Sequence, residues 1–129
     1  MNRHCRHCGS GVERTAIACM VCNHNLVRAV RLEGSAGSLE ASIATDIGAA
    51  VLKRVIGDDA RYATMTQFRI ARGSDGAWLV EHSPGAKNPT FVNGAAIPHA
   101  GHRLVDGDQI SLAGKAGHLT VRLVLDDSP

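Results

Sequence analysis

Residues 88–94 read N-P-T-F-V-N-G, and residues 104–112 read L-V-D-G-D-Q-I-S-L. Each joins a short strand signal to a turn signal. Thr90-Phe91-Val92 is β-branched, aromatic, β-branched, and it stops at Asn93-Gly94, a pair suited to the left-handed positions of a hairpin turn. Leu104-Val105 runs into Asp106-Gly107-Asp108 and the strand pattern resumes at 109–112. Downstream, L-T-V-R-L-V-L at 119–125 sets Leu119, Val121, Leu123 and Leu125 on one face. Upstream, 67–72 alternates with Phe68 and Ile70 on one face, and A-W-L-V-E at 77–81 follows the turn Gly73-Ser74-Asp75-Gly76. Further upstream, L-E-A-S-I at 39–43 puts Leu39, Ala41 and Ile43 together, and L-V-R-A-V-R-L-E at 26–33 alternates in part. The cluster Gly34-Ser35-Ala36-Gly37-Ser38 between those two runs reads as a hairpin loop.

Many short strands separated by turns, with no helix–strand alternation, predict a mainly β protein: an antiparallel β-sandwich. Its expected core is Leu39, Ile43, Phe68, Ile70, Leu79, Phe91, Val92, Leu104, Ile110, Leu112, Val121 and Leu123. One stretch breaks the pattern. I-G-A-A-V-L-K-R-V-I-G at 47–57 holds helix formers among β-branched residues and predicts a short helical or looped insert.

Composition sets the frame. A chain of 129 residues with 44% hydrophobic and 20% charged residues is globular, with room for one domain or a small domain and a mini-module. Aromatics are only 3%, so the core rests on Val, Leu, Ile and Ala. No apolar run approaches the ~20 residues that cross a bilayer, so no membrane association is expected. The start, M-N-R-H-C-R-H-C, lacks the apolar core of a secretory signal, and the expected compartment is the cytoplasm. Net charge is +2 with neutral histidines. Four thiolates on a dication would cancel it, leaving no overall charge to attract nucleic acid or an anionic surface.

All four cysteines fall in the first fifth of the chain, as two C-x-x-C pairs: Cys5 with Cys8, and Cys19 with Cys22. A disulfide framework would staple the rest of the chain as well. Two such pairs suit a tetrahedral metal site, each forming a tight turn that aims two sulfurs at one point. Gly9 and Asn23 follow the pairs and tolerate the positive φ that such turns need. Residues 3–25 resemble a short zinc ribbon, which predicts one structural zinc ion on Cys5, Cys8, Cys19 and Cys22. His4, His7 and His24 read as neighbours, because four thiolates already complete the tetrahedron. The expected organisation is a zinc ribbon at 1–25 followed by a sandwich at 26–129.

The two quoted stretches also carry a family resemblance. N-P-T-F-V-N-G resembles the N-G-T-x-V-N-G segment of forkhead-associated (FHA) domains, and L-V-D-G-D-Q-I-S-L resembles their later L-x-D-G-D-x-I strand. A-T-M-T-Q-F-R-I at 63–70 falls where the family has V-S-R-x-H-A-x-I, and Ile47-Gly48-Ala49 falls where it has I-G-R. The resemblance covers about 26–125 and implies an eleven-stranded sandwich that binds phosphothreonine peptides through loops at one end. The departures are specific. The phosphate-binding Arg is Ala49, the Ser is Thr64, the structural His is Gln67, and the Gly after the retained Asn88 is Pro89. Ala49 cannot make a charge-assisted bond to phosphate. Gln67 keeps the capacity to brace the loop. Lys53, Arg54, Arg61 and Lys87 are the cations near enough in sequence to compensate.

The resemblance therefore implies a non-catalytic adaptor that binds another protein through Arg54, Thr64, Asn88 and Thr90, without a requirement for phosphate. A phosphothreonine-binding module in kinase signalling is the alternative. A nucleic-acid-binding ribbon is a third reading: Arg3, Arg6, Arg14, Arg28 and Arg31 cluster early, but no aromatic for base stacking precedes Tyr62. Ser83, His82 and Asp106 read as loop residues rather than a catalytic triad, and His82, His99, His102 and His118 lack ligand spacing. Asp106-Gly107-Asp108 reads as turn chemistry, since it is too short a ligand set for calcium.

Overall fold

Period-two apolar runs separated by turns can bury their inward faces by stacking two sheets. The structure is a computed structural model and describes residues 3–125 except 75, 99 and 113–115. Asp75 of the expected turn, His99 and the last four residues of the expected 26–129 segment therefore lie outside the described residues.

A two-stranded hairpin, β1 (Arg3–His4) with β2 (Gly11–Val12), comes first. There follow β3 (Val27–Glu33), β4 (Ser38–Ala41), β5 (Thr45–Ile47), α1 (Ala49–Ile56), a 3-10 segment (Gly57–Tyr62), β6 (Phe68–Arg72), β7 (Trp78–His82), β8 (Thr90–Val92), β9 (Ala95–Ala96), β10 (His102–Arg103), β11 (Gln109–Leu112) and β12 (Ala116–Leu125). One sheet has the order β10-β7-β6-β5, the other β4-β3-β12-β11-β8-β9. The strand pairs within both are antiparallel.

The core forms where the inner faces meet. Phe68, Ile70 and Val80 come from the four-stranded sheet, and Val30, Leu32, Ile110, Leu112, Leu119 and Val121 from the six-stranded one, all fully buried. Leu39 and Leu123 are partly buried against them, and Leu79 and Phe91 are partly exposed. Ile43 corrects the expected core: it is 73% exposed. β4 stops at Ala41 and the chain bends at Ser42-Ile43, where the Thr45 hydroxyl donates to the Ile43 carbonyl, so the alternation ends two residues early. Strand β3 shows why its alternation was partial. Consecutive Ala29 and Val30 are both buried, next to a register shift against β12 at Val124/Leu125.

The ambiguous stretch is helical. Leu52, Val55 and Ile56 lie at i, i+3 and i+4 and bury one stripe of α1 against the core, with Lys53 and Arg54 left exposed. Gly57, with φ 66°, ends the helix in a conformation that disfavours a side chain.

Cys5, Val12, Cys19 and Leu26 form a second, smaller apolar cluster under the hairpin. The hairpin meets the sandwich at Val27, whose carbonyl accepts from Trp78 Nε1 and from Arg72 Nη2, each at 2.9 Å. The Arg72 guanidinium also lies over the Trp78 ring, 5.1 Å from its centroid. Arg72 pairs with Trp78 at one end of the β6–β7 ladder, and Phe68 pairs with His82 at the other. Four strand residues span about 13 Å. The cysteine hairpin thus caps one end of the sandwich, and the loops flanking Gln67 and Thr90 form the other. Among the described residues no helix is long and apolar enough to cross a membrane.

Candidate functional site

The four cysteines sit on two matching turns. The Gly9 N–H donates to the Cys5 carbonyl and the Asn23 N–H to the Cys19 carbonyl, both at 2.8 Å. Gly9 (φ 81°) and Asn23 (φ 64°) take the left-handed conformation expected of them. Cys5 Sγ lies 3.6 Å from Cys22 Sγ, and Cys8 Sγ lies 3.7 Å from Cys19 Sγ. All four sulfurs lie within 4.8 Å of one another. Sulfurs bonded at about 2.3 Å to a tetrahedral ion stand about 3.8 Å apart, so this donor set fits a tetrathiolate metal centre. The metal-free thiols differ from one another. A hydrogen bond with the Ser10 hydroxyl, helped by the Ser10 backbone, lowers Cys8 to about 6. A backbone bond from His24 pulls Cys22 down, but burial and the three neighbouring sulfurs outweigh it and push Cys22 up to about 12. His7 and His24 stack at 4.8 Å beside the cluster, and His4 is exposed; none joins the four sulfurs.

At the far end of the sandwich the loops are tied together by one buried side chain. Gln67 Oε1 accepts from the Thr64 N–H at 3.1 Å, and Nε2 donates to the Asn88 carbonyl at 2.7 Å and to Thr90 Oγ1 at 3.0 Å. Gln67 is fully buried. Thr64 Oγ1 accepts from the Lys87 N–H at 2.9 Å, and Asn88 Nδ2 donates to the Tyr62 carbonyl at 2.9 Å. Gly48 is required where the insert leaves the sheet: a Cβ there would overlap the Met65 carbonyl oxygen. The insert returns beside its starting point, with the Ala49 N–H donating to the Thr64 carbonyl at 3.0 Å.

No family model matches the chain, and no curated protein matches it. Solved structures do. The solution structure of the FHA domain of an Arabidopsis thaliana hypothetical protein has TM-score 0.62 and 23% identity, over 80% of this chain and 92% of that one. A domain solved in a structural and functional study of phosphothreonine-dependent FHA interactions has TM-score 0.55 and 21% identity, over 74% and 96%. The fold is that of a forkhead-associated domain. Mycobacterium tuberculosis EmbR, solved with a low-affinity phosphopeptide, has TM-score 0.57 and 16% identity; the match covers 85% of this chain and 28% of EmbR.

Within the forkhead-associated fold, the structure brings together Thr64, Asn88 and Thr90, all bonded directly or through Gln67. Thr90 is 1% exposed, with its hydroxyl shared by Gln67 and His82 Nδ1, so it braces the loops from beneath. Arg54 is not gathered with them. It is exposed on α1, and its carbonyl faces Gly37 of the β3–β4 loop. The cations that share a cavity of about 310 Å³ with Ala49 are Lys53 and Arg61, together with Asp58. Arg61 stacks on the Tyr62 ring and donates to its hydroxyl, which holds the guanidinium above its usual value. His82, Tyr62 and Lys87 also build the loop end; Lys87, expected as a compensating cation, acts there through its backbone N–H, and Tyr62 acts through its carbonyl.

The D-G-D turn is structural. Asp108 is buried, and its carboxylate accepts from the Val105 N–H and from Asn93 Nδ2 and contacts His102 Nε2. Asp106 instead contacts Arg122 and accepts from the Leu123 N–H, and it does not meet Ser83 or His82.

Proposed function

We propose that this protein is a non-catalytic adaptor. One zinc ion, held by Cys5, Cys8, Cys19 and Cys22, stabilises the ribbon at 1–25, and the loop end of the 26–129 sandwich binds another protein. Four sulfurs at this spacing cannot all be thiolates without a cation between them, and zinc is the ordinary occupant of a tetrathiolate. Four free thiols also fit the reducing cytoplasm.

The observation that carries the binding mode is the missing cation at the arginine position. The position that would hold an arginine is Ala49, and Thr64 Oγ1 and Asn88 Nδ2 each already bond a backbone partner, leaving one hydroxyl proton and one amide N–H between them for a ligand. A dianion needs several convergent donors, best of all a bidentate Arg. The proposed ligand is therefore a polypeptide held without phosphate at the loop end, by the donors that Thr64 and Asn88 keep. Titration with matched phosphorylated and unphosphorylated peptide libraries tests this. Phosphorylated and plain twins should bind within a few-fold of each other. A phosphothreonine peptide bound in the low micromolar range, with a silent twin and loss on Thr64→Ala, would overturn it.

One observation favours phosphothreonine recognition as a second reading: Lys53 and Arg61 line the same cavity as Ala49 and could supply the missing cation. Under that reading Arg61→Ala removes the discrimination between the twins.

A further inference from the structure

The outer face of the four-stranded sheet carries a cavity of about 820 Å³ that none of the foregoing uses. Asp46, Arg69 and Glu81 stand directly opposite one another on β5, β6 and β7 and so share that face. Arg69 Nη1 pairs with Asp46 at 3.4 Å. Glu81 is partly buried, lines the cavity, and has no hydrogen-bond or ion-pair partner among the described residues. On its other flank stands Gly101. Gly101 has φ +92°, and a Cβ there would press on Glu81 Cγ at 3.2 Å. Ile97 and Pro98 form an apolar wall. The cavity also reaches Ser83 and Pro84, at the start of the loop that bears Asn88, and the Ser83 N–H is bonded to the Gln67 carbonyl.

We propose that this groove takes an extended, basic segment of the protein partner, in which one Lys or Arg pairs with Glu81 and lays its methylene stem on Ile97 and Pro98. Arg69, which stands opposite Glu81, is engaged by Asp46, so two carboxylates share one cation on this face and an incoming cation completes the pairing. A long cationic stem also matches the apolar wall. The occupant is a chain rather than a free cation because the cavity extends from Asp46 and Glu81 to Thr66, Ser83 and Pro84, beside the loop end. The proposal deepens the loop-end reading and rests on it for the direction in which the partner continues.

The test is a residue-resolved NMR titration of the full chain with two ten-residue alanine-based probes, one bearing three arginines and one bearing three glutamates. The arginine probe should shift the amide signals of Thr66, Arg69, Glu81 and Ser83 saturably, and the glutamate probe should not. Glu81→Gln should weaken the arginine probe at least fivefold, and Glu81→Lys should abolish its binding. Equal binding of both probes, indifference to Glu81→Gln, or shifts confined to Asp58 or Asp106 would overturn the proposal. The double variant Thr64→Ala, Asn88→Ala separates the two readings. Arginine-probe binding that still depends on Glu81, alongside library ligands unaffected by the double variant, would retire the loop end and keep the groove. Library ligands lost in the double variant, alongside an arginine probe indifferent to Glu81, would retire the groove alone.

Discussion

Replacing Gln67 by Ala should cost this protein a large part of its stability, and the cost can be worked from the bonds. Gln67 is fully buried and makes three hydrogen bonds, to the Thr64 N–H, the Asn88 carbonyl and Thr90 Oγ1. Each is worth about 1 kcal/mol net, and a buried partner left unsatisfied costs about 1–3 kcal/mol. Thr90 keeps its contact with His82, so two groups rather than three are orphaned. Because the two orphaned groups, the Thr64 N–H and the Asn88 carbonyl, are only partly buried, the expected loss is about 2–4 kcal/mol, against a total of about 5–15 kcal/mol for an ordinary domain. Gln67→Glu should cost at least as much at pH 7, because it keeps the shape but sets a carboxylate oxygen against the Asn88 carbonyl. Gln67→His, which restores a ring donor where the family places one, should cost least. Urea denaturation followed by the single tryptophan gives all three numbers. A loss under about 1 kcal/mol for Gln67→Ala, with an unchanged denaturant slope, would show that water substitutes for the amide and that Gln67 does not hold the loops.

Other outcomes follow from the same contacts. Purified protein should carry one zinc per chain, and Cys8→Ser should abolish its retention; metal analysis after metal-replete expression decides this. Zinc loading must displace thiol protons, above all that of Cys22, which burial and the neighbouring sulfurs push up, so proton release in weak buffer should be measurable and should shrink toward high pH. Phe68→Ala should cost roughly 3–5 kcal/mol, since the ring is fully buried, and a chelator should leave most of the sandwich transition in place; a single transition lost with the metal would mean one cooperative unit. Trp78 lines a cavity with Ile17 where the hairpin joins the sandwich, so chelation should shift its emission, and an unchanged spectrum would show that the junction survives metal loss.

The sequence by itself determined the sandwich, the cysteine set and the candidate loops. Strand alternation is local and reports burial directly, so Leu119, Val121, Phe68 and Ile70 were legible as inward-facing. The C-x-x-C spacing fixes the turn chemistry, and Gly9 and Asn23 show the conformation that spacing demands. Gln67 was legible as a brace only through the family resemblance, which sets it where the structural histidine stands. Local pattern failed where the backbone departed from it. Ile43 continues an alternation that the bend after Ala41 has already ended, and 47–57 carries helix and strand signals of equal weight, which only packing of Leu52, Val55 and Ile56 resolves. The rest needed the tertiary structure. Arg54 and Lys53 are neighbours in sequence, yet successive helix residues diverge by about 100°, and only Lys53 faces the cavity with Ala49. Thr90 is buried by its partners across the sheet, and the carboxylate of Glu81 is left without a partner among the described residues because Asp46 has taken Arg69. The placement of the cysteine hairpin opposite the candidate loops likewise rests on the Val27 carbonyl meeting Arg72 and Trp78, contacts between residues about 45 to 51 positions apart, which no local pattern encodes.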